Sequence, residues 1–193
     1  MAAVTAMVET SVAIVNELSG RDLDELCDAA EAAITEGGGF GWLTPPPRQI
    51  QESYWRGVVL VPGRTLLVGR LDGVIAGSAQ LFRPTRNNEA QAAACTLKSA
   101  FVAPWARGHG IARMLTEAVE ATALAEGFGM INLDVRETQA AAIAMYESLG
   151  YRKWGTHPLY ARLADGTWVP GHYYYKILIG DAPEAPASGA PGA

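Results

Sequence analysis

The chain has 193 residues, 49% of them hydrophobic and 18% charged. That composition sets aside intrinsic disorder and gives enough length for one domain with a substantial core. Fifteen Lys and Arg against 20 Asp and Glu leave a net charge of −5, so the basic footprint of a general nucleic-acid binder is missing and an anionic ligand needs local donors. Cys27 and Cys95 fall in no ligand spacing and His109, His157 and His172 are scattered; neither a disulfide framework nor a metal site is expected. No apolar run approaches the ~18 residues of a membrane span, and Met1 to Thr10 lacks the basic and apolar regions of a leader, so no membrane partner and a cytoplasmic location are expected.

Residues 1–10 are expected to be flexible, 11–179 to form one domain, and 180–193, GDAPEAPASGAPGA, to be a disordered tail with almost nothing to bury. Val12 to Val15 reads as a strand. After Ser19-Gly20-Arg21-Asp22, the helical recurrence of Leu23, Leu26, Ala30, Ala33 and Ile34 predicts a helix that stops at Gly37-Gly38-Gly39. Pro45-Pro46-Pro47 opens a second helix with Ile50, Tyr54 and Val58 as its apolar side. Arg64 to Arg70 and Val74 to Phe82 are β-rich runs around Asp72-Gly73, a strong hairpin signal.

Cys95 to Val102 is a further strand, followed by a Gly-containing loop and a helix from Ile111 to Ala125 that ends at Gly127. Met130 to Val135 is a strand, Gln139 to Leu149 a helix stopped by Gly150, and Tyr151 to Ile179 holds more strands around an Asp165-Gly166 turn. The strand–helix–strand centre implies a parallel crossover within an otherwise antiparallel sheet, an α/β (α+β) fold.

The segment Val102-Ala103-Pro104-Trp105-Ala106-Arg107-Gly108-His109-Gly110-Ile111-Ala112 lies between a strand and a helix. Two glycines let a ligand approach the backbone, and the unpaired N–H groups of the next helix converge with its positive dipole end. With Arg107 and Arg113 this makes an anion site suited to a diphosphate; the same glycines equally suit a plain tight turn. A P-loop is excluded by the absent Gly-Lys-Ser/Thr ending, and a dinucleotide fingerprint by Arg113 where a small residue is required.

On these residues the sequence resembles the GNAT superfamily of acyl-CoA-dependent N-acyltransferases. Its signature Arg/Gln-x-x-Gly-x-Gly/Ala stands here as Arg107-Gly108-His109-Gly110-Ile111-Ala112, preceded by Val102-Ala103-Pro104. A second block follows the next strand, from Gln139 through Ala142 and Tyr146 to Gly150-Tyr151, with Gln139 in the usual Asn position. Gly37 to Phe40, Ala76 to Leu81, Leu133-Asp134 and Pro158-Leu159-Tyr160 through Tyr174-Tyr175-Lys176 are similar to the tabtoxin-resistance type of acetyltransferase.

The resemblance implies a mixed, mostly antiparallel sheet with helices on both faces, acetyl-CoA as co-substrate without metal, and direct transfer to the primary amine of a small molecule, amino-acid-like or an antibiotic. It places cofactor contacts at Phe101, Val102, Arg107, Gly108, His109, Gly110, Ile111, Ala112 and Gln139. Tyr146 matches the tyrosine beside the cofactor sulfur, where its O–H can donate to the departing thiolate, though an amphipathic helix also explains it. Asp134 alternates away from the apolar row of Ile131, Leu133 and Val135 and serves as base, as substrate anchor or as a structural carboxylate. Trp154, Tyr160, Trp168 and Tyr173 to Tyr175 line an acceptor mouth, with Trp42 and Phe40 on the opposite wall, or form sheet core. Acetylation of a protein N-terminus or lysine, and a non-catalytic acyl-CoA sensor, are the alternative functions; homodimerisation stays open.

Overall fold

The computed structural model describes residues 8–37 and 41–180. Thirteen segments run in the order β1 (Thr10–Val15), α1 (Gly20–Thr35), α2 (Arg48–Leu60), β2 (Arg64–Leu71), β3 (Val74–Phe82), a 3-10 turn, β4 (Ala94–Val102), a second 3-10 turn, α3 (Ile111–Ala125), β5 (Met130–Arg136), α4 (Ala140–Ser148), β6 (Arg152–Arg162) and β7 (Trp168–Ile177). The seven strands form one sheet, ordered β1-β2-β3-β4-β5-β7-β6. Among them only β4 and β5 pair in parallel, joined by α3, which is the crossover expected from the sequence. β1 starts at Thr10, inside the stretch expected to be loose, because Glu9 and Asp72 exchange hydrogen bonds that close the ladder. Residues 1–7, the glycines at 38–39 with Phe40, and the tail from 181 lie outside the described residues.

Local chemistry fixes the element ends. The Ser19 side chain accepts from the Asp22 N–H at 3.0 Å and caps α1. Asp72 and Gly73 both adopt positive φ, +49° and +80°, the twist that a two-residue hairpin loop requires. Arg70 binds Asp22 and Glu25, and the same Oε2 of Glu25 accepts from the Ile75 N–H, tying α1 to the β2–β3 hairpin. Arg48 grips Asp24 and Asp28 and so joins α2 to α1.

The sheet carries apolar side chains on both faces, and each face is covered by two helices. Leu67, Leu81, Cys95, Leu97, Ile131 and Leu133 pack against α3 and α4; Leu66, Val68, Ile75 and Phe101 pack against α1 and α2. The two cysteines sit in opposite layers, Cys27 on the buried face of α1 and Cys95 on β4 in the α3 layer. Burial pushes their thiols up to about 11 and about 12, so both stay protonated and inert. The buried side of α2 is Gln51, Trp55 and Val58, rotated from the expected stripe, and Ile50 is exposed. Trp55 accounts for the rotation: it is the largest side chain of the helix, is fully buried, and stacks near Phe101 at 6.2 Å.

A bulge in β4 breaks the alternation of the sheet. Gln80 pairs with Lys98 but Ser78 pairs with Phe101, so Ser99 and Ala100 together oppose Ala79. Ser99 takes a positive φ of +52°. One extra residue inverts the side-chain parity: Cys95 and Leu97 face the α3 layer, whereas Phe101 and Ala103 face α1 and α2. Pairing between β4 and β5 covers only Ala94–Thr96 with Met130–Asn132, and beyond it the strands diverge. A cleft opens between them.

At Gly77 a Cβ would overlap the carbonyl oxygen of Phe101 and lie 3.0 Å from Val102 Cα, so the bulge closes against bare backbone. Gly77→Ala is therefore expected to lower stability by about 1–3 kcal/mol, the usual cost of overpacking. Chemical denaturation checks this, and an unchanged midpoint and slope would contradict the close fit.

Candidate active site

The cleft has a volume of about 1100 Å³ and runs from the strand divergence to the start of α3. Phe101 and Val102 form its floor on the β4 side, Gln139 and Tyr146 its wall on the α4 side, and Arg107, Gly108, Gly110, Ile111 and Ala112 its far end. Two turns position that end: Ala106 N–H donates to Ala103 and Arg107 N–H to Pro104. Gly108 and Gly110 then adopt φ of +82° and +78°. A Cβ at either glycine would meet nothing within 4 Å, so these positions need glycine for conformation rather than for space. Gly110 is the N-cap of α3, whose first free N–H groups point into the cleft end with the helix dipole behind them.

Side chains near the loop are already engaged. Arg107 pairs with Glu36 across the mouth, Arg113 donates to Ser148 Oγ at 2.6 Å, and His109 turns back so that Nδ1 lies 3.2 Å from the Ala106 carbonyl. His109 is thus turned away and does not line the cleft.

A second cavity of about 460 Å³ adjoins the first on the β5 and β6 side. Trp42, Leu43, Ala100, Arg136, Gln139, Ala142 and Tyr146 line both. Asp134 lies in the smaller one, on the β5 face opposite the buried Ile131, Leu133 and Val135 as its alternation requires. Its Oδ2 accepts from the Tyr160 hydroxyl, and its Oδ1 is 3.6 Å from Lys98 Nζ. Arg136 and Arg162 also line this cavity, so among the described residues a single carboxylate sits with three cationic side chains.

Tyr146 lies where the two cavities meet and is only 6% exposed. Its helix ends in a Schellman arrangement: Tyr151 N–H donates to the Tyr146 carbonyl at 3.1 Å with Gly150 at φ +89° between them. The Tyr151 ring then packs edge-on to that of Tyr146 at 5.5 Å. Burial, and secondarily the charge of Asp134, push the Tyr146 phenol up to about 12. It is a proton donor throughout the working range of an enzyme.

Of the residues named from sequence, Asp134, Tyr146, Gln139, Phe101, Val102 and the phosphate-type loop converge on these joined cavities. Among the aromatics, Trp42 and Tyr160 line a cavity wall, whereas Trp154, Trp168 and Tyr173 to Tyr175 do not. Buried His172 is 3.1 Å from Thr156 Oγ1 and 3.4 Å from Glu137, away from both cavities. Lys98 and Arg162 were not foreseen, and Arg136 only as an ion-pair partner of Asp134; the signal for Lys98 was a lone charge that alternates with Cys95 and Leu97 onto the other face of β4.

A family model described as the acetyltransferase (GNAT) family matches residues 24–151. The chain belongs to that family. It is 62% identical over 133 residues to an N-acetyltransferase from the hisH-hisA intergenic region of Azospirillum brasilense, spanning 69% of this chain and 79% of the relative. Solved structures share the fold: an N-acetyltransferase from Staphylococcus aureus Mu50 at 18% identity and TM-score 0.74, covering 89% of this chain and 99% of its own, and yncA from Salmonella typhimurium with its cofactor acetyl-CoA at 17% and 0.72, covering 93% and 99%. The protein is accordingly an acetyl-CoA-dependent acyltransferase acting on an acceptor substrate.

The buried phenol generates a direct check. In a spectrophotometric titration of tyrosine, Tyr146→Phe is expected to match the wild type up to about pH 11 and to differ only above it, since burial withholds ionisation. A difference near pH 10 would contradict the buried placement.

Proposed function

We propose that this acetyltransferase transfers the acetyl group to the primary amine of a small molecule, amino-acid-like or an antibiotic, by direct attack with both substrates bound together. The observation that carries the reading is the junction of two cavities at Tyr146, one ending on a helix N-terminus and the other holding a carboxylate. Acetyl-CoA brings the activated acetyl thioester. Its diphosphate is held by Arg107 and the backbone of Gly108, His109, Gly110, Ile111 and Ala112, which fit an anion through free N–H groups and the helix dipole. The β4 backbone at Phe101 and Val102, which lies beyond the last β4–β5 pair and lines the cleft, takes the extended arm, with Gln139 beside it.

Asp134 receives the ammonium proton, because attack requires the neutral amine, and Tyr146 donates to the sulfur as it departs. Atoms balance: starting from the ammonium, the nitrogen gains acetyl and loses two protons, one to Asp134 and on to solvent, the other replacing the proton that Tyr146 gives to the departing thiolate. The acceptor cavity of about 460 Å³ suits a small molecule rather than an extended peptide, and its catalytic groups set it apart from a mere sensor.

Calorimetric titration of acetyl-CoA tests the first half. Gly108→Glu is expected to weaken binding by about 100-fold or more through charge in the cradle, and Gly108→Ala, which shares only the backbone strain, by about tenfold at most. Equal binding to all three proteins would remove the loop from the site. For the second half, thiol release with a panel of L-amino acids should show Tyr146→Phe about 10- to 100-fold slower in kcat with acetyl-CoA affinity retained. Asp134→Asn should lose kcat/KM for the amine, and unchanged turnover in either variant rejects that residue's role.

A further inference from the structure

The edge strand β6 reaches Asp134 by an unusual route. β5 pairs directly with β7, where Asp134 opposes Tyr173 and Arg136 opposes Gly171. β6 lies one strand further out, yet its Tyr160 donates to Asp134. Two features make this reach possible. Between the pairs His157 with Gly171 and Ala161 with Val169, three residues of β6 (Pro158, Leu159 and Tyr160) face only Pro170. Pro158 and Pro170 have no N–H to give to the ladder, so the strand bulges there. At Gly171 a Cβ would overlap the Tyr160 ring: the ring lies flat in the notch left by a missing side chain and so crosses β7. Tyr173 closes the other side, edge-on at 6.1 Å and 87°.

We infer that Tyr160, seated in the Gly171 notch, is a positioning residue that fixes the Asp134 carboxylate for proton transfer from the amine. The inference rests on the reading of Asp134 as the proton acceptor. The groups facing Asp134 are Lys98 from β4, Arg136 on its own strand, Tyr146 from α4, Tyr160 and Arg162 from β6 and Tyr173 from β7. Among these, Tyr160 binds Oδ2 while Lys98 lies nearest Oδ1. Held at Oδ2 by a neutral donor, the carboxylate presents Oδ1 to the cavity, and its orientation does not depend on the flexible Lys98. Burial and the bond to Asp134 push the Tyr160 phenol well above its usual range, so it remains a donor.

A double-mutant cycle tests this, using acetyl-CoA and whichever L-amino acid of the panel turns over fastest. Tyr160→Phe keeps the ring in the notch and removes only the hydroxyl. It is expected to cut kcat/KM for the amine roughly tenfold, with acetyl-CoA affinity within about twofold and stability retained. In an Asp134→Asn background the same change is expected to cost nothing more, because it acts only through Asp134; a structural role gives the same loss in both backgrounds. Additive losses, or no loss in the wild type, overturn the inference. Loss of activity in Asp134→Asn with Tyr160→Phe fully active leaves the proton-acceptor reading standing and removes only the role of Tyr160.

A measurement free of turnover accompanies the cycle. The carbon-13 carboxylate resonance of Asp134, assigned by its disappearance in Asp134→Asn, should move in Tyr160→Phe and stay in place in Tyr173→Phe. An unmoved resonance in Tyr160→Phe refutes the contact whatever the acceptor. Gly171→Ala, which displaces the ring but keeps its hydroxyl, should reproduce the kinetic loss of Tyr160→Phe, and wild-type activity in that variant overturns the notch.

Discussion

The extra residue at Ser99–Ala100 in β4 is the constraint on which the rest of the site depends. Because side chains alternate along a strand, one inserted residue turns everything after it over, and Phe101 goes to the α1–α2 layer where it meets Trp55. The inversion also redirects the strand, so that pairing with β5 stops after Thr96 and Asn132. A continuous ladder there would close the sheet and leave no cleft. The cleft is thus a consequence of how two layers of apolar side chains are satisfied at once, Cys95 and Leu97 below and Phe101 and Ala103 above.

Each wall of the cleft is held by an independent device. The anion-facing end depends on two left-handed glycines and a helix terminus, which work through backbone groups and tolerate a net acidic protein. Tyr146 depends on packing: a Schellman turn returns Tyr151 against its ring, and burial keeps its proton in place. Asp134 depends on alternation in β5 and on polar neighbours from β4 and β6. On the proposed mechanism, the three chemical demands of acyl transfer are met by loop conformation, helix packing and strand register in turn.

Much of this was legible in the residues. Asp72-Gly73 marked its hairpin, the period of Ile111 to Ala125 marked α3, and the spacing from Gln139 to Tyr151 marked the helix that carries Tyr146. These are local signals, complete within one turn or one helix. What escaped is non-local. On α2, Val58 is buried and Tyr54 packs against the core as expected, but Ile50 is exposed because the volume of Trp55 and the hydrogen bond from Gln51 to Pro46 rotate the buried side. The bulge in β4 depends on Gly77 in another strand, and the reach of Tyr160 depends on Gly171 in another. The apolar row keeps odd-numbered positions from Cys95 and Leu97 to Phe101 and Ala103, so the residues of β4 do not mark the change of face, which only the partner strand shows.

The β6–β7 hairpin has one more property. Its strand residues Tyr160 to Arg162 line the smaller cavity, and its turn, Leu163 to Asp165, lines the larger cleft. Hairpin tips are ordinarily where a chain accepts inserted residues at little cost. Here the tip is a wall, with Leu163 N–H bonded to Thr167 and Asp165 accepting from the Thr167 N–H at 2.9 Å. The length of this connection is consequently as constrained as a core position, and grafting a tag or a longer loop into it would alter the space available to both substrates together.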